Sequence, residues 1–168
     1  MSPVAVLQVA CLALLTVLLV AAAVQDVRTL QIDNGFPLAI VGLFAVSAAA
    51  GLVSGRLPAS AIGLAVAGGA LVFAAGAAAF AVGALGGGDV KLLAAVSLFA
   101  GSGRLLDFLA ITVLVGGGLG IAVVAGVPSG RSAATGTVPL KARLHGDLPL
   151  GPAIAAGGLW VALSAGSG

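Results

Sequence analysis

The chain has no glutamate and no tyrosine, one cysteine and one histidine, and only 7% of its 168 residues are charged. Each scarcity excludes something. A lone Cys11 cannot form an intrachain disulfide or a Cys-rich zinc site. With His145 alone, a zinc protease of the HExxH type is impossible. A formal charge of +2 is too small and scattered for nucleic-acid binding, and 4% aromatic residues offer no stacking platform. What remains is 61% hydrophobic, with a mean hydropathy of +1.27. Soluble domains carry roughly a quarter charged residues, so this composition belongs in lipid.

The sequence reads as one all-α, polytopic integral-membrane domain over residues 1–168. Crossing the hydrocarbon core takes roughly 20 mostly apolar residues. Residues 4–24 meet that, and no Lys or Arg precedes them, so the basic region of a signal peptide is missing. The run is therefore expected to stay as a transmembrane helix. A polar break at 25–35 follows, then spans at 36–53 and 59–85, separated by a turn at 54–58. Residues 90–100 are apolar but too short to cross alone; the helix there is expected to start below the membrane surface or to borrow residues from the preceding glycines. A turn at 101–104, a span at 105–127, a polar loop at 128–147 and a last span at 148–165 complete about six helices, the fourth short. Lys and Arg favour the cytoplasmic side. Arg28, Lys91, Arg131, Lys141 and Arg143 follow odd-numbered helices, against Arg56 and Arg104 after even ones. Both termini are thus expected outside, with Asp26 and Asp89 at the cytoplasmic boundary.

An acid at membrane depth marks a functional site by default. Asp89 follows Gly86, Gly87 and Gly88 and precedes an apolar helix. Capping that helix is one reading, since a carboxylate satisfies free N–H groups there. Three glycines also clear space for another backbone. Asp26 stands at the end of the first apolar run, where a helix C-terminus disfavours an anion. Two such acids suggest an aspartyl protease: two close carboxylates share one proton, the ionised member activates water and the other donates to the peptide carbonyl. No metal or cofactor is required.

The segments Asp26-Val-Arg-Thr-Leu-Gln-Ile-Asp-Asn34, Gly86-Gly-Gly-Asp-Val-Lys-Leu92 and Leu148-Pro-Leu-Gly-Pro-Ala153 together resemble the type IV prepilin peptidases, polytopic GxGD-type aspartyl proteases. The resemblance implies that Asp26 and Asp89 are the catalytic pair in a prokaryotic inner membrane. It implies a pilin or pseudopilin precursor as substrate, whose short basic leader is cut off at the cytoplasmic side, just before a hydrophobic helix. Arg28, Asn34, Lys91, Pro149, Gly151 and Pro152 are the further motif positions, together with the glycines before Asp89. They are expected near the site or on the substrate's approach. Bifunctional relatives insert a cytoplasmic domain with paired CxxC motifs, linked to N-methylation, between the first two helices. Here that loop is short and lacks cysteine, which resembles the peptidase-only members of tight-adherence (Flp-type) pilus systems. Where the family often has Ile-Pro-Asn, this chain has Ile32-Asp33-Asn34; the extra carboxylate either perturbs the site or contacts the leader.

Several residues have blander readings. Lys91 and Arg28 suit interfacial charges, Asp107 a helix-start acid on the opposite side, and His145 and Asp147 a solvated loop. Ser102 lies on the side opposite His145, against a serine protease. The rival function from another class is a small proton- or ion-coupled transporter, with aspartates as relays near the midplane.

Overall fold

Residues 3–24 contain no charged side chain, so nothing interrupts a helix while lipid leaves the backbone no other partner. The computed structural model describes residues 3–125 and 150–166. Its first helix, α1, is Pro3–Thr29. It runs on past the apolar stretch, so the polar break expected from residue 25 begins later. Hydropathy registers where side chains leave lipid, not where backbone bonding stops. Thr29 Oγ1 donates to Gln25 O at 2.9 Å, and the Leu30 N–H still reaches Asp26 O at 2.7 Å. Leu30 itself turns left-handed, with φ 53°.

Helix α2 spans Gly35–Val53, with Pro37 in its first turn. Helix α3 spans Ala59–Ala81, ending short of the expected residue 85 because Gly83 adopts φ 75°. Helix α4, Gly87–Val124, is 38 residues long. Straight, it would measure about 57 Å, nearly twice the ~30 Å hydrocarbon core. It does not run straight: Gly101 takes φ 57° and ψ −168°, a conformation reserved almost wholly for glycine.

The packing shows that α4 doubles back there. A Cβ on Gly157 would meet Phe108 and Thr112, while one on its neighbour Gly158 would meet Val96 and Leu19. Val96 and Phe108 lie on opposite sides of Gly101 yet abut adjacent residues. The limbs 87–100 and 102–124 therefore form an antiparallel pair. The turn expected at 101–104 is a single residue, and 102–104 are already helical. The first limb has indeed borrowed Gly87 and Gly88, and at about 21 Å it is the short segment expected. Helix α5, Gly151–Gly166, is the last. Among the described residues, four helices are long and apolar enough to cross a membrane, and α5 is a shorter apolar one. With α4 counted as two limbs, the described residues give six helical segments: an all-α polytopic membrane protein.

The core gathers around α5. Its buried side is built of small residues, and Gly157 and Gly158 let it wedge between α1 and both limbs of α4. Close approach of this kind is how membrane helices associate, because lipid supplies no hydrophobic drive between them. On α1 the buried stripe is Cys11, Leu15, Leu19, Ala22 and Asp26. On the first limb of α4, Leu92, Val96 and Ala100 face the same core, one or more turns beyond Asp89. Helix α3 packs outside that limb through Gly69 and Gly76. Helix α2 contributes Ile40 to the core and an edge-to-face contact between Phe44 and Phe99 at 5.6 Å.

Candidate active site

Asp26 ends the buried stripe of α1 and is 5% exposed. Its position in the last turn of α1 is electrostatically poor, as the sequence suggested. The structure supplies the compensation. The Gly151 N–H donates to Asp26 Oδ2 at 2.7 Å. Gly151 is the first residue of α5, whose N-terminal amides need acceptors and whose dipole favours an anion. Asp26 thus caps a helix 125 residues further along the chain. Pro152, next to it, has no N–H to satisfy. Gly151 is obligatory here: a Cβ would lie 2.7 Å from Asp26 Cβ and 2.9 Å from Oδ2.

Asp89 is the third residue of α4, not the residue before the helix. Its carboxylate reaches back to the Gly86 backbone N–H and lies within electrostatic reach of Asp26. This is the acid's half of a capping box, in which a side chain at the third position closes over the helix start. Capping is real, but only one oxygen is used for it. Asp89 Oδ1 is buried and has no hydrogen-bond partner among the described residues. An orphaned buried acceptor is costly and calls for a donor such as water or a shared proton.

The three glycines prove to have separate tasks. A Cβ on Gly86 would meet Asp89 Oδ2 at 2.7 Å; one on Gly87 would rest against the Phe80 ring at 3.5 Å; one on Gly88 would press on Ile32, 3.1 Å from Cβ and 3.2 Å from O. The backbone admitted at Gly88 is therefore the chain's own loop between α1 and α2. That loop brings Asn34 to the site's edge, where Asn34 Oδ1 accepts from Lys91 Nζ at 2.8 Å. Asp33 Oδ1 accepts from the Gly35 N–H at 2.8 Å, a local cap at the start of α2.

Arg28 and Pro152 make no hydrogen bond to either aspartate. They line a groove of about 390 Å³ between α1 and α5, with Val20, Val27 and Leu159. Pro149, His145 and Asp147 fall outside the described residues. Asp107 is exposed, and Ser102 lies at the other end of the bundle. There a larger cavity of about 790 Å³ is lined by Gln8, Ser47, Arg56, Ser102 and Arg104. Among the described residues, no cluster of His, Cys, Asp or Glu is suited to a metal.

Sequence reasoning missed two contributions: the Gly151 N–H as Asp26's partner and Ile32 as Gly88's neighbour. The Pro-x-Gly-Pro pattern did flag Gly151, but its partner lies on the first helix, and no local spacing reports that. The model of the Type IV leader peptidase family matches residues 13–121, which includes both aspartates, all three glycines and Lys91. Neither the curated proteins nor the solved structures give a match to this chain.

Proposed function

Since this chain belongs to the type IV leader peptidase family and so is a membrane-embedded peptidase, we propose that Asp26 and Asp89 form its catalytic dyad. The proposed reaction removes the basic leader from prepilin-like or pseudopilin precursors. The observation that carries this reading is that two acids from separate helices stand at one end of the bundle: Asp26 is buried against the start of α5, and Asp89, near enough to feel its charge, has a buried oxygen without a partner among the described residues.

The chemistry follows from that pairing. Two close carboxylates in a low-dielectric setting hold a single proton between them. One, ionised, takes a proton from water as the water oxygen attacks the scissile carbonyl carbon. The other gives its proton to the carbonyl oxygen, producing a neutral tetrahedral diol. Collapse of the diol breaks the C–N bond: the first carboxyl gives its proton to the leaving amine while the second, now ionised, takes one back from a diol hydroxyl, which restores the singly protonated pair. The Gly151 N–H holds the Asp26 carboxylate in one orientation throughout. Asp89 is held through Gly86, with Oδ1 left for the shared proton or the water.

The placement also bears on the transporter alternative. Both acids lie in terminal turns, Asp26 near the end of α1 and Asp89 at the start of α4. A proton relay would sit near the midplane. Arg28 and Lys91 lie at this same end, which supports a cytoplasmic location for it by the positive-inside rule. A substrate helix would reach the site from lipid, bringing its leader to the boundary.

The test is cleavage of a co-expressed prepilin, read as a mobility shift. Asp26→Asn and Asp89→Asn should each leave the leader attached. Complete processing by either variant would overturn the dyad.

A further inference from the structure

Asn34 occupies the residue before α2, yet it does not cap that helix. Its backbone is helical, with φ −60° and ψ −18°, and its side chain makes no cap hydrogen bond. A capping asparagine normally has extended backbone and offers its oxygen to an N–H two or three residues on. Two neighbours release it from that task. Pro37, the third residue of α2, has no N–H, and Asp33 already takes the Gly35 N–H. The freed oxygen accepts instead from Lys91, 57 residues away.

The bond joins two short tethers. Asn34 ends the loop that leaves α1 just beyond Asp26. Lys91 sits two residues after Asp89, where i and i+2 side chains do not face each other on a helix. Lys91 therefore points sideways to α2 and not at the Asp89 carboxylate. A second contact lies beside it, where the Ile32 backbone rests on Gly88. The loop is thus pinned to the first two turns of α4 twice, once sterically at Gly88 and once by the polar bond to Lys91.

We propose that Lys91 and Asn34 form a clamp that sets the separation of Asp26 and Asp89, making Lys91 a positioning residue. The rate effect rests on the proposed peptidase function; the geometric effect does not. Loss of the clamp lets the α1–α2 loop swing off α4 and the carboxylates drift apart. Misplacement of about 1 Å at a reacting centre costs on the order of 10²-fold in rate.

Two measurements test this. In cleavage assays, Lys91→Met and Asn34→Ala should each lower kcat by about ten- to a hundredfold with KM nearly unchanged. The double variant should be no worse than either single one, because both remove one interaction. Asn34→Asp, which keeps the acceptor, should restore the rate. If Lys91 acted through its charge on Asp89, Asn34→Ala would stay active, and that result would overturn the clamp. The second measurement needs no peptidase activity. With Cys11→Ala as background, Asp26→Cys and Asp89→Cys are joined by a short bis-maleimide, and adding Lys91→Met should cut the cross-linking rate severalfold. Unchanged cross-linking overturns the clamp whatever the cleavage result. A chain that cleaves no prepilin overturns the function reading, and the cross-linking then decides the clamp alone.

Discussion

The two ends of the bundle use polar groups in opposite ways. At the far end, Arg56 donates to Gln8 at 3.3 Å and Arg104 to Ser164 O at 3.1 Å, around a cavity of about 790 Å³. At the aspartate end the helices touch through glycine, and the carboxylates are seated on backbone amides. The largest pocket is the usual first guess for an active site. Here the larger of the two cavities lies at the opposite end from the proposed dyad. Among the described residues, the large cavity is lined by no carboxylate or histidine, and guanidinium groups do not exchange protons near neutrality. The proposed proton-transfer chemistry needs two acids, and those stand at the tight end, where close backbone approach holds them.

The largest expected effect tests that contrast directly. Asp26→Asn or Asp89→Asn should lower the rate of leader cleavage by on the order of 10³-fold or more. Arg56→Gln and Arg104→Gln should stay within about threefold of the unmodified chain, as expected for groups outside the reacting centre. Initial-rate measurements on one prepilin in one detergent suffice. A loss in Arg104→Gln equal to that in Asp89→Asn would move the site to the other end.

A second pair of variants separates glycines that hold the site from glycines that hold the bundle. At Gly151 a Cβ would strike Asp26. At Gly157 it would lie 2.9 Å from Phe108 O and 2.6 Å from Thr112 Oγ1. Overpacking of this sort costs about 1–3 kcal/mol, so both alanine variants should unfold at lower temperature. Only Gly151→Ala should also lower kcat per folded molecule, by about ten- to a hundredfold, because only it displaces a carboxylate. Equal kcat losses in the two variants would mean that general packing, not the Asp26 seat, controls the rate.

Gly101 offers a smaller effect. A Cβ there meets nothing, so sterics between residues predict no penalty for Gly101→Ala. The backbone predicts one of about 1–3 kcal/mol, because φ 57° with ψ −168° is nearly closed to other residues. Thermal unfolding in detergent should show a lower midpoint. A higher midpoint would mean that α4 prefers to run straight, which would dismantle the doubled-back limbs on which the aspartate end depends.

Much of this fold was legible in the sequence because lipid forces it: apolar runs of spanning length must be helical. The positions of Asp26 and Asp89 were legible because charge is rare. Which face of each helix turns inward was not. In a soluble bundle the buried stripe stands out against a polar face, but here Leu14 and Val17, facing lipid, are as apolar as the buried Leu15 and Leu19. The Gly101 reversal was hidden for a related reason. With 27 glycines in the chain, nothing in the sequence marks Gly101 as the one that bears a positive φ inside α4. The Gly151 partnership lay out of reach because it joins the first helix to the last.

The smallest effect concerns the carboxylate that departs from the family's Ile-Pro-Asn pattern. The sequence left two roles for Asp33, disturbing the site or binding a basic leader, and both depend on its charge. In the structure its Oδ1 accepts from the Gly35 N–H, a task for which charge is dispensable. Asparagine offers the same oxygen at the same distance from the backbone. Asp33→Asn should therefore leave cleavage of basic-leader substrates unchanged and alter stability by no more than a few tenths of a kcal/mol. Asp33→Ala, which removes the acceptor, should cost about 1 kcal/mol while leaving KM for the leader alone. A rise in KM for Asp33→Asn that grows with the number of basic residues in the leader would show instead that the charge reads the substrate. The contrast between the two ends would then include recognition at the aspartate end as well as acid–base chemistry.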